Sequence, residues 1–199
     1  MSKLLIATHN KHKLQEFRSF LEPLGIEVVG AEGIPDVPET GTTFQENSLQ
    51  KALWGMAHSQ LPTLADDSGL CVHALNDAPG LYSARFAAEH GGYKGAFQAL
   101  FKELKDKKDW AAHFCCCLCL VLPQKEPLFF MGKVNGRLTT KPDFSVSDFG
   151  YDPIFVPDGF DKPFGGLPAE IKKNLSHRGR ALQELVAYLK DNPLPESKK

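Results

Sequence analysis

No stretch of the 199 residues approaches the run of roughly 20 apolar, uncharged residues that a membrane-spanning helix needs. The apolar run at the N-terminus, Leu4-Leu5-Ile6-Ala7, is too short for a signal-peptide core, and Asn10-Lys11-His12-Lys13 follows it in place of a small-residue cleavage site, so the expected location is cytoplasmic. Five cysteines are too few for a disulfide framework, and four of them crowd into Cys115-Cys116-Cys117-Leu118-Cys119. Neither charge dominates: 23 Lys and Arg face 24 Asp and Glu, a net charge of -1, so no overall field draws a long polyanion. A nucleic-acid-binding module therefore ranks last, and any anion must be held locally. The chain also lacks G-x-x-x-x-G-K-[ST] and G-x-G-x-x-G, which counts against a Walker-type NTPase and a standard dinucleotide site. There is no internal repeat, no low-complexity tract and no Pro/Gly-rich linker.

What is present suffices for one domain over 1–199, with 42% apolar residues and a polar, Pro-bearing end at 191–199 expected to be a loose tail. Leu4 to Ala7 predicts a buried strand, and Leu14, Phe17, Leu21 and Leu24 mark the apolar stripe of a helix closed by Gly25. Ile26 to Val29 predicts a second strand. Thr43-Phe44-Gln45-Glu46 matches a capping box, so a helix is expected from about Phe44 to His58. Thr63 to Ala65 and Leu70 to Val72 read as short strands flanking a tight turn, Asp66-Asp67-Ser68-Gly69. Tyr93 to Leu104 has helical spacing, Ala111 to Leu122 and Leu128 to Val134 read as paired strands, Ile154 to Val156 as another, and Leu182, Leu185, Val186 and Leu189 as a last helix. This order predicts an α/β fold: a mixed β-sheet with flanking helices. On the Ala111 strand, His113, Cys115, Cys117 and Cys119 share one face. A metal site is conceivable there, but contiguous cysteines in an apolar strand behave as small buried hydrophobes.

Two helix starts break a local rule. Lys11, His12 and Lys13 put positive charge in the first turn of the first helix, where the macrodipole prefers acids, and His177, Arg178 and Arg180 do the same in the last helix behind the N-cap candidate Ser176. Either alone reads as a solvated basic turn; together they favour a shared polyanionic ligand such as a triphosphate. Asp66, Asp67 and Glu39 supply few, hard oxygen donors of the kind that suits Mg²⁺ shared with substrate phosphates. Asp67 or Asp66 beside such an ion can orient or deprotonate a water. In Asp148-Phe149-Gly150-Tyr151-Asp152-Pro153, Phe149 and Tyr151 offer faces for stacking a base, Gly150 permits close approach, and Asp152 accepts hydrogen bonds. The alternative is a turn with its aromatics in the core.

Six pieces occur in order: Thr8-x-Asn10-x-x-Lys13; Glu39-Thr40-Gly41-x-x-Phe44-x-Glu46-Asn47; Ala65-Asp66-Asp67-Ser68-Gly69-Leu70; Pro79-Gly80-x-Tyr82-Ser83-Ala84-Arg85; Phe149-Gly150-Tyr151-Asp152-Pro153-Ile154-Phe155; and Ser176-His177-Arg178. In these the chain resembles the inosine triphosphate pyrophosphatases of the Ham1/RdgB type over nearly its whole length. The resemblance implies an elongated mixed sheet with two lobes around a central cleft, and a homodimer. It implies Mg²⁺-dependent hydrolysis of the non-standard purine nucleotides ITP, dITP and XTP to monophosphate and pyrophosphate. It makes Asp67 proton acceptor and metal ligand, Glu39 the second metal ligand, and Thr8, His9, Asn10, Lys11, His12, Lys13, Ser68, Phe149, Gly150, Tyr151, Asp152, Lys172, His177 and Arg178 substrate contacts. His9 stands where many relatives have Gly, and Ile171 where they commonly have an acid; Arg85 either reaches a phosphate or braces the turn after Pro79-Gly80, bracing being favoured. The competing readings are a purine-nucleotide sensor without hydrolysis and a related pyrophosphatase for pyrimidine triphosphates.

Overall fold

The computed structural model describes residues 2–196. In chain order the elements are β1 (Ser2–Ile6), α1 (Lys11–Leu21), β2 (Ile26–Val29), α2 (Phe44–Ser59), β3 (Thr63–Val72), β4 (Ala78–Pro79), α3 (Ser83–Glu89), α4 (Tyr93–Leu104), β5 (Ala111–Val121), β6 (Leu128–Leu138), β7 (Phe155–Pro157), α5 (Ala169–Leu175) and α6 (His177–Asp191). The strands form one mixed sheet in the order β2-β1-β3-β5-β6-β7, with β4 pairing β3 off this path. β1 runs parallel to β2 and β3, while β4 on β3 and β7 on β6 are antiparallel. The chain falls into two units interleaved along the sequence. One is 1–67, 116–132 and 180–199; the other is 68–115 and 133–179.

In the first unit, α1 ends where Pro23 tightens the last turn into a 3₁₀ segment, and Gly25 at φ 75° releases the chain into β2. Phe17 and Leu21 of α1, Leu4 and Ile6 of β1, and Ala181, Leu182 and Leu185 of α6 close one apolar cluster. Burying each Leu or Phe contributes about 1.5–3 kcal/mol. α2 starts at Thr43, whose hydroxyl accepts from the Glu46 amide at 3.1 Å. The reciprocal half of the expected capping box goes one residue earlier, because the Glu46 carboxylate accepts from the amide and hydroxyl of Thr42 at 2.6 and 3.0 Å. Gly55 lets this helix sit hard on the sheet: a Cβ there would meet Thr63 Cγ2 at 2.9 Å and Leu5 Cδ2 at 3.0 Å. Ala52, Ala65, Cys119 and Val121 fill the contact. All five cysteines are free thiols; Cys116, Cys117 and Cys119 are buried, so this run is core packing. Burial pushes the thiol of Cys119 up to about 12.

Asp191 closes α6, Leu194 is buried, and its carbonyl accepts from Ser2 Oγ at 3.0 Å. Of the tail expected over 191–199, residues 197–199 lie outside the described residues.

In the second unit, Ala96, Phe97, Leu100 and Leu104 of α4 pack with Phe114, Phe155 and Phe164. β6 extends four residues past the expected end because Gly136 allows β7 to pair closely; a Cβ there would lie 2.2 Å from the Val156 carbonyl oxygen. β7 begins only at Phe155, since Pro153 holds Asp152–Ile154 in a 3₁₀ turn.

Candidate active site

The main correction to the sequence reading is Asp66 to Gly69. These residues make no turn; β3 runs unbroken from Thr63 to Val72 through both aspartates. Asp66 and Asp67 are 3% and 5% exposed, so each carboxylate has left water and needs a partner. Because successive side chains in a strand point to opposite faces, two different helices supply them. From α1, Lys13 Nζ lies 3.2 and 3.0 Å from the two oxygens of Asp66. From α2, Lys51 Nζ reaches Asp67 Oδ1 at 3.3 Å and Glu39 Oε1 at 2.8 Å, and Asn47 Nδ2 donates to Asp67 Oδ2 at 3.1 Å. Asn47 Oδ1 accepts from the Gly41 amide at 2.8 Å, which fixes the loop that presents Glu39. Burial raises the pKa of Asp67 above the ordinary carboxylate range; Lys51 opposes the rise, and the charge of Glu39 adds to it. Burial would lower that of Lys51, but the charges of Asp67, Asp66 and Glu39 outweigh it and keep the ammonium protonated.

A cavity of about 270 Å³ opens within this unit, lined by Thr8, His9, Lys13, Glu39, Lys51 and Asp66 among others. Asn10 caps α1 by accepting from the Lys13 amide at 3.1 Å, and Thr8 Oγ1 accepts from the Asn10 amide at 3.1 Å. His9 is held by its ring: Nδ1 is 2.6 Å from Asp36 Oδ1, and Nε2 is 3.0 Å from the Ala31 carbonyl oxygen. Burial opposes its charge, but the hydrogen bond and charge of Asp36 prevail and its pKa is raised. Lys11 and His12 are exposed on the first turn of α1 and do not line the cavity.

The second unit gathers the other expected residues. Arg178, 2% exposed, donates from Nη2 to Ser68 Oγ at 3.1 Å. Lys172 pairs with the buried carboxylate of Asp152 and lies 5.1 Å over the ring of Phe149. Ser147 Oγ donates to Asp152 Oδ2 at 3.3 Å. Ser176 caps α6 by accepting from the Gly179 amide at 3.0 Å, as expected. The His177 ring stacks on Phe114 at 4.6 Å. Tyr151 differs from its reading as a stacking face. Its ring is 4% exposed, packs edge-on against Tyr93, and its hydroxyl donates to the Ser83 carbonyl at 2.7 Å. Phe149, half-buried beside Gly150 at φ 56°, is the aromatic face that remains. Arg85 lies 4.8 Å over the exposed Tyr82 ring.

Lys51 and Asn47 are the residues that sequence reasoning missed. The signal was there: the two stand four apart, a helical repeat, on a helix whose other inward positions are small or apolar.

Chemically, the first unit holds half-buried ammonium groups paired with acids beside a cavity, as a phosphate-processing site requires, and the second holds cationic and aromatic groups suited to a base. The sequence profile of the Ham1 family matches residues 4–188, and the chain belongs to that family. It is 41% identical over 198 residues to the dITP/XTP pyrophosphatase of Streptomyces coelicolor, an alignment covering 96% of this chain and 98% of that one. It is 42% identical over 190 residues to that of Exiguobacterium, covering 94% and 96%. Among solved structures, a HAM1 protein from Coxiella burnetii matches with a TM-score of 0.88 at 34% identity, covering 96% of this chain and all of that one.

Proposed function

We propose that this chain hydrolyses the deaminated purine nucleotides ITP, dITP and XTP to the monophosphate and pyrophosphate. The observation that carries it is Lys51, an ammonium held between the carboxylates of Glu39 and Asp67 beside the Lys13–Asp66 pair. The dITP/XTP pyrophosphatase activity for which relatives 41% and 42% identical over nearly the whole chain are named supports the same reading.

In this reading Asp67 takes the proton of the attacking water. Oxygen bonds to the α-phosphorus, the bond to the bridging oxygen breaks, and pyrophosphate leaves with its negative charge facing Lys13 and Lys51. The raised pKa of Asp67 makes its carboxylate a stronger base than a solvated aspartate. Glu39 and Asp67 offer hard oxygen donors and too few of them for a closed cage, which fits Mg²⁺ completed by water and substrate phosphates. Held there, the ion would neutralise phosphate charge. Thr8, His9 and Lys13, which line the cavity, handle phosphate, with Asn10 capping α1 and Lys11 and His12 adding charge from its exposed first turn; Ser68 with Arg178 and His177 addresses the 6-oxo edge, and Phe149, Gly150, Tyr151, Asp152 and Lys172 hold the base, Tyr151 through its backbone. A 6-oxo group accepts from such donors where the amino group of ATP cannot; leaving buried polar groups unpaired discriminates by roughly 10⁴ to 10⁵, against about 10- to 200-fold for a methylene's worth of fit. A cytoplasmic homodimer follows from the same family reading. Among the described residues no helix is long and apolar enough to cross a membrane.

The test is to incubate the protein with Mg²⁺ and ITP, dITP, XTP, ATP, GTP or dTTP and identify the products. Monophosphate and pyrophosphate from the deaminated purines are expected. Orthophosphate as first product would move the attack to the γ-phosphorus, preference for dTTP would favour a pyrimidine enzyme, and binding without turnover would favour a sensor. Light scattering reads the dimer.

A further inference from the structure

We propose that His73, His113 and Asp77 form a binding site for one divalent ion of the zinc class, built within the second unit and unrelated to the phosphate chemistry. His73 opens the 3₁₀ turn that follows β3, and Asp77 closes the return into β4. The turn is tightly wound: Asn76 and Asp77 both take left-handed conformations, at φ 53° and 63°, and their amides donate to the His73 and Val72 carbonyls at 3.1 and 3.0 Å. This folds a His-x-x-x-Asp spacing back on itself. His113 arrives from the neighbouring strand β5, and one ligand atom from each of the three residues lies within 4.8 Å of the other two. It is the one such group of three among the described residues.

The donor set decides the ion. Two imidazoles and a carboxylate suit Zn²⁺ and its first-row neighbours, whereas Mg²⁺ prefers oxygen alone. His73 Nε2 and His113 Nδ1 share a hydrogen bond at 2.9 Å, so one of them carries a proton that an incoming ion must displace. Two nitrogens on a tetrahedral Zn²⁺, each roughly 2.0–2.1 Å from it, stand roughly 3.3 Å apart. His73 and Asp77 are exposed and His113 is half-buried, so a small side-chain rotation closes the difference. Three protein ligands on a surface leave the fourth position to water. The pKa of His113 is lowered by burial and then by the charge of Lys133, which keeps the ring in the neutral form a metal requires. Lys133, exposed on β6, also repels an incoming cation, so its charge works in both directions. Cys71 is the nearby soft alternative, but its thiol is buried and pushed up to about 12, so it stays protonated. A bound ion ties the β3–β4 turn to β5.

Co²⁺ serves as the visible probe, added to the intact protein with Mg²⁺ in large excess to occupy hard-oxygen sites. The expected result is one Co²⁺ per chain with a visible d–d band, displaced by Zn²⁺. His73→Ala and His113→Ala should each weaken it by more than about 10-fold, a loss seen even for outer-shell partners, with Mg²⁺-supported hydrolysis unchanged. Lys133→Gln should tighten it. Because His73 is exposed, its variant should keep the wild-type melting temperature in EDTA, which separates lost ligation from lost folding. Equal Co²⁺ uptake by wild type and both His variants, no uptake in excess Mg²⁺, or a near-ultraviolet thiolate band each overturns the assignment. None of these readouts requires turnover, so failure of the nucleotide reading is seen separately.

Discussion

Lys51 holds two acids that would otherwise repel each other in a poorly solvated place. Asp67 is pulled toward protonation by burial and Glu39, and toward ionisation by Lys51 and the Asn47 amide. In the proposed reaction Asp67 accepts a proton only when ionised, so activity should fall as pH drops through its pKa. Removing the ammonium takes away the influence that lowers this pKa. Lys51→Met should therefore move the acid limb of the kcat/KM profile to higher pH. It should also destabilise the protein by about 3–5 kcal/mol, because two carboxylates lose a buried partner. An unshifted limb would separate Asp67 from proton transfer. Asp67→Asn keeps the shape and the Asn47 contact but cannot accept the proton. Its kcat should drop roughly 10²- to 10⁴-fold, with nucleotide affinity, measured by calorimetry, much less affected.

At the scale of elements, β3 carries the most consequence and was read least well. Asp-Asp-Ser-Gly has turn composition, and a local reading has no access to Lys13 and Lys51, which stand 53 and 16 residues away from the acids they hold in the strand. Gly69 has a different reason from turn flexibility: a Cβ there would lie 2.0 Å from the Gly80 carbonyl oxygen and 2.9 Å from Ser83 Oγ. Ser83 Oγ accepts from the Leu70 amide at 2.9 Å and donates to Gly80 at 2.6 Å, so the strand and the following turn are locked together. Gly69→Ala forces backbone apart and should cost about 1–3 kcal/mol or more. At roughly 2–4 °C per kcal/mol for a chain of this size, a thermal melt should show a drop of several degrees. Thr43→Ala, which removes only a cap, should cost about 1 kcal/mol. The periodic elements α1, α2, α4 and α6 were legible because their apolar stripes and caps are local. The rings of Tyr151 and Phe149 looked alike in sequence and separate only through tertiary packing, which buries one against Tyr93 and leaves the other under Lys172.

For the molecule as a whole, stability and catalysis draw on different resources. The apolar side chains of α1, α4 and α6 fill the hydrophobic clusters, and the cysteines are free thiols. Of the charged groups that the proposed reaction uses, Lys13, Lys51, Glu39 and Asp66 line the cavity, and Asp67 is joined to it through Lys51. Chelation should therefore stop turnover without unfolding the protein. With EDTA present, hydrolysis of ITP should vanish, far-ultraviolet circular dichroism should stay unchanged, and added Mg²⁺ should restore the rate. Loss of helical signal on chelation would instead mean that an ion helps hold the fold, and full activity in EDTA would mean that the lysines alone neutralise the phosphates.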